Sequence, residues 1–147
     1  MKQMFLALLF LSLGFAACKK EKDPPAPPAP LSFKAVLSGA NEVPANTSTA
    51  TGEANAKFDQ QTKVLTVTIT YTGLSAALTA WHVHKAAAGS NGSVVFNFGT
   101  PQPSGFVYTS AALTTDQETD LTSGLYYVNL HTSNFGGGEI RGQLIKQ

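Results

Sequence analysis

Along TKVLTVTITYTG (62–73), apolar and polar side chains alternate: Leu65, Val67, Ile69 and Tyr71 fall on one face, Thr66, Thr68 and Thr70 on the other. A period of two is the geometry of a strand with one dry side. The same alternation, less regular, predicts strands in LSFKAVLSG (31–39), TGEANAKFD (51–59), TAWHVHK (79–85), SVVFNFG (93–99), LYYVNLHT (125–132) and GEIRGQLI (138–145), with turn residues between them. One stretch departs from it. In LTTDQETDLTSG (113–124), Thr115 as N-cap, Glu118 three residues on, early acids and Gly124 as a stop predict a short helix. Short antiparallel strands with a single helical crossover predict an all-β fold, a β-sandwich large enough to bury a core without disulfides.

The faces follow from the same period. In TAWHVHK, Trp81 and Val83 share one side, so His82 and His84 share the other. LYYVNLHT puts Tyr126, Val128 and Leu130 inward and Tyr127, Asn129 and His131 outward; GEIRGQLI puts Ile140, Gly142 and Leu144 inward and Glu139, Arg141 and Gln143 outward. All three histidines of the chain are thus expected outside the core. If the two last strands form a hairpin through Gly136–Gly138, and the WHVH strand lies beside it, one outer face gathers His82, His84, His131, Glu139, Arg141 and Gln143.

The first thirty residues have no such period. Lys2, the apolar run MFLALLFLSLGF and Ala16-Ala17 read as a secretory signal over 1–17, too short for a comfortable membrane span. Cys18, the sole cysteine, follows at once, and FAAC resembles a bacterial lipobox whose cysteine is lipidated, with Phe15 where leucine is usual. Acyl chains such as palmitate would then make the membrane a partner and the cell envelope the expected location. Residues 18–30, KKEKD followed by PPAPPAP, read as a tether whose proline run favours extended polyproline II. The domain is 31–147. Six basic against seven acidic side chains there, with no basic stripe, argue against nucleic acid as a partner.

LSGANEVPANTSTATGEA, HVHKAAAGSNGSVV and LTTDQETDLTSGLYYVNLHTSNFGGGEIRGQL, in that order, resemble the CHRD domain, a module first described in chordin. The resemblance implies an immunoglobulin-like β-sandwich or barrel and no settled activity. Taken with the signal, Cys18 and the period-two strands, it leads to the expectation of a non-enzymatic binding or structural module for an unnamed extracytoplasmic protein or ligand, or alternatively a metal-binding or metal-dependent redox protein. WHVH is also similar to the His-x-His copper strand of copper/zinc superoxide dismutase, although the disulfide pair and the zinc-binding cluster of that enzyme have no counterpart.

Three neutral imidazoles can hold copper or zinc, with Glu139 orienting one of them as an outer partner. Equally, His131, Glu139, Arg141, Asn129 and Gln143 can form a structural polar network, with Arg141 forking onto a carboxylate. No serine or cysteine sits in a nucleophile setting, since GxSxG is missing and Cys18 lies in the tether. GANEVPAN reads as a strand exit ended by Pro44.

Overall fold

The computed structural model describes residues 24–147. The signal segment 1–17 and Cys18 lie outside the described residues. Strand β1 (Leu31–Ser38) leads through a 3-10 turn (Gly39–Asn41) to β2 (Thr51–Phe58), β3 (Val64–Thr72), β4 (Leu78–Lys85), β5 (Ser93–Asn97) and β6 (Phe106–Ala112). Helix α1 (Thr115–Thr122) then crosses to β7 (Tyr126–Thr132), β8 (Ile140–Gln143) and β9 (Ile145–Lys146). The fold is all-β and antiparallel, as the alternation predicts. The strands form one continuous sheet in the order β5-β4-β7-β8-β1-β2-β3-β6, with β9 beside β1, curled into a nearly closed barrel.

The two ends of that sheet meet through aromatic rings. Trp81 of β4 lies 4.6 Å from Phe106 of β6, and Tyr108 of β6 lies 6.4 Å from Phe96 and 4.8 Å from Phe98, between ring centroids. Inside, Leu65, Val67 and Ile69 of β3, Trp81 and Val83 of β4, and Val128 and Leu130 of β7 are completely buried, so period two and burial agree.

Three elements differ from expectation, the first being the last stretch GEIRGQLI (138–145), which divides at Leu144 into β8 and a short β9 that pairs with β1. Strand β6 lies outside the expected set because its apolar alternation, Phe106 and Tyr108, is cut short at the next inward position, where 110 is a serine. That serine is needed: the ladder between β3 and β6 shifts register between Val64 and Thr66, and Ser110 Oγ accepts from the Leu65 amide at 3.0 Å there. The helix cap is Thr114, one residue earlier than Thr115. Its hydroxyl accepts from Gln117 N, and the Gln117 side chain accepts from Thr114 N, closing a capping box.

The hairpin of β7 and β8 pairs Asn129 with Arg141, and β4 pairs with the other edge of β7, setting His82 opposite Asn129. The three strands expected to share the outer face are therefore neighbours. Their outer face is not open. Every residue of β7 is buried, including Tyr127, Asn129 and His131, because segments 39–48, 86–92 and 133–138 fold over it.

Candidate metal centre

His82 and His84 project from β4 and His131 from β7 onto this roofed face. Their donor atoms lie within 4.8 Å of one another. His82 Nδ1 is 3.3 Å from His131 Nε2. Two nitrogens bound to one tetrahedral zinc at about 2.0–2.1 Å stand roughly 3.4 Å apart, so this pair already has the spacing of shared ligands.

Backbone carbonyls fix which nitrogen is free in two of the three rings. His84 Nδ1 donates to Gly92 O at 2.9 Å, and His131 Nδ1 donates to Gly136 O at 3.0 Å. A carbonyl only accepts, so the proton sits on Nδ1 and the lone pair on Nε2 in both rings. His84 Nε2 is buried and has no hydrogen-bond partner. An orphaned lone pair facing two other imidazoles is what a metal-ligand set looks like before loading.

All three rings are held neutral. Burial lowers each pKa below the usual histidine value; for His82 the charges of His131 and His84 lower it further. For His84 burial outweighs the Gly92 hydrogen bond, with Arg141 adding to the depression, and for His131 burial outweighs the Gly136 bond, with His84 adding to it. With the His131 lone pair on Nε2, the His82 Nδ1 contact is a hydrogen bond donated by His82, so His82 would have to shift its proton to Nε2 before its Nδ1 could serve as a ligand.

The walls are built from residues the sequence places on this face, in other roles than expected. Tyr127 stacks on His84 with centroids 4.9 Å apart and planes 6° from parallel, and the Arg141 guanidinium lies 4.1 Å over the Tyr127 ring. Arg141 forks onto Asn91 Oδ1 and Ser90 O, each at 2.9 Å, not onto a carboxylate. It thereby pins the 86–92 segment whose Gly92 carbonyl sets His84. Glu139 orients no imidazole. Completely buried, it accepts from Ser48 Oγ, Ser75 N, Ser75 Oγ and Thr132 Oγ1 at 2.6–3.0 Å. Burial works to raise its pKa, yet these hydrogen bonds prevail and hold it below the usual carboxylate value. Gln143 donates to Ala86 O and Gly124 O, tying the start of the 86–92 roof to the helix end.

Glu42 is the residue that sequence reasoning misplaced. It is not a plain strand exit: it is 7 % exposed and sits over Asn129 and Gly138, with burial outweighing Arg141 and Asn129 to push its pKa up to about 7. Its neighbours Gly39–Asn41 turn the chain back over the sheet, a turn that no period-two pattern announces.

A family profile for the CHRD domain matches residues 33–144, which takes in every strand that builds this face. Neither the curated proteins nor the solved structures contain a match to the chain.

Proposed function

Because the chain belongs to the CHRD domain family, whose members are binding or structural modules, we propose that this one is a metal-binding module of the cell envelope, lipid-anchored through Cys18. Copper or zinc is the ligand, held by His82, His84 and His131. The observation that carries this reading is the convergence of three neutral imidazoles with two tautomers fixed from behind and one lone pair buried without a partner.

His82, His84 and His131 would hold such an ion with three protein ligands and leave a fourth position for water or substrate, unlike the closed four-ligand sites of structural zinc. Such an ion would supply Lewis acidity or, for copper, electron transfer. The chain's own residues fix the rings: Gly92 and Gly136 carbonyls set the protons, Tyr127 supports the His84 plane, and Arg141 holds the roof. No helix among the described residues is long and apolar enough to cross a membrane. The lipid at Cys18 is the proposed attachment.

Titration of the purified protein with zinc and with copper, followed calorimetrically and by elemental analysis, tests the site. One equivalent is expected to bind, and His82→Ala/His84→Ala is expected to lose it. Equal metal content in both proteins would leave the trio as a structural polar network. For the anchor, Cys18→Ser should move the protein out of the membrane fraction, and unchanged fractionation would count against lipidation.

A further inference from the structure

Two oxygens in the roofed polar layer have no donor: Oε1 of Glu42 and Oδ1 of Asn129. They are neighbours. A Cβ on Gly138 would stand 2.5 Å from either terminal atom of the Asn129 amide and 2.6 Å from Glu42 Oε1, so only a glycine at this position, with its φ of +132°, fits between them. Two buried acceptors side by side repel each other, and neither finds a protein donor.

One proton resolves both. On Glu42 it turns the carboxyl into a donor to Asn129 Oδ1, while Asn129 Nδ2 faces the remaining carboxyl oxygen as a donor. We propose that Glu42 is a proton-binding site, a neutral acid paired with the Asn129 amide, and that the pair positions the glycine loop which fixes His131. Asn129 Nδ2 approaches Gly137 O at 3.5 Å, and one residue earlier Gly136 O receives the His131 Nδ1 proton.

The surroundings agree. Titratable or charged groups on the packed elements are Arg141 on β8, Glu139 at its start, and the three imidazoles on β4 and β7. Only Arg141 acts on Glu42 as a charge, and burial outweighs it, so the carboxyl keeps its proton up to about pH 7. Arg141 spends its recorded hydrogen bonds on Asn91 and Ser90, so it forms no ion pair that would hold Glu42 as a carboxylate.

The proton itself is read without metal; only its effect on affinity rests on the proposed metal site. Carbon-13 NMR titration of the metal-free full chain should show the Glu42 carboxyl changing near pH 7, and a change near the ordinary carboxylate pH would overturn the proposal. Glu42→Gln supplies the acid's shape with one donor and one acceptor. At about pH 6 it should retain zinc affinity within about twofold, and Glu42→Ala should weaken it by about tenfold or more, the usual range for lost outer partners. Glu42→Gln behaving like Glu42→Ala would overturn the pairing. A Glu42 carboxyl that titrates near pH 7 in a protein that takes up no zinc would uphold the proton site while removing the metal reading.

Discussion

Along β3 the outward residues Thr66, Thr68 and Thr70 are partly or fully open to solvent, whereas on β7 the outward Tyr127, Asn129 and His131 are as buried as the inward Tyr126, Val128 and Leu130. Both strands have the same pleat and the same inward apolar row. The difference lies in what covers them. Among the described residues nothing folds over Thr70, while three segments fold over β7 and convert its solvent side into a second, polar interior. Burying polar groups is costly unless each finds a partner, and most here do. Three of the four buried side-chain atoms without a partner among the described residues lie in this layer: Glu42 Oε1, His84 Nε2 and Asn129 Oδ1. Unpaired groups concentrated in one otherwise paired layer are the pattern expected where stability is traded for function.

The contrast can be tested by substitutions on each side of the wall. Trp81→Ala strikes the apolar interior that both halves share; it should cost about 3–5 kcal/mol in urea unfolding and loosen the Phe98 and Phe106 contacts. A loss below about 1 kcal/mol would mean the aromatic interior is not what closes the barrel.

Glu139→Gln strikes the polar interior. The amide cannot accept from both Ser48 Oγ and Ser75 N on one side and both hydroxyls on the other as freely as a carboxylate does, so a loss of about 1–3 kcal/mol is expected at pH 7. The folded-state pKa of Glu139 is lowered, so its stabilisation is full above the unfolded value of 4.5 and disappears as pH falls through the folded value. The wild-type advantage should therefore shrink on acidification. An advantage independent of pH would show that the carboxylate charge is irrelevant.

Glu42 carries the opposite sign. Its folded pKa is raised to about 7, so its stabilisation is full below 4.5 and disappears as pH rises through 7. Smallest of all should be Thr70→Val on the open side of β3, within about 0.5 kcal/mol of wild type by the same unfolding measurement. A large loss there would erase the distinction between the two halves.

Period two made the inward rows legible, and with them the common side of His82 and His84, because a one-residue slip would move a whole row to the other face. The β7–β8 hairpin was legible too, through Gly136–Gly138. The roof was not. Asn46, Ser48, Asn91 and Gly92 are ordinary turn residues by composition, and their contacts with Glu139, Arg141 and Tyr127 span long sequence separations. Glu42 escaped for a related reason: a single acid before an apolar residue and a proline has no periodic mate to reveal that it points inward. At the helix, Thr114 with Gln117 and Thr115 with Glu118 satisfy the same capping rule, and only the hydrogen bonds choose between them.

Strand β1 also sets where the centre stands. The chain enters the barrel at Leu31, and Ser38, seven residues further on, lies in the cross-strand row that runs through Arg141, Asn129 and His82. At about 3.3 Å per residue, that row is roughly 23 Å from the entry point. The imidazoles therefore stand at a fixed distance from Leu31, one strand-length along the same rigid sheet, so the end of the barrel that receives the chain and the end that holds the histidines cannot approach each other.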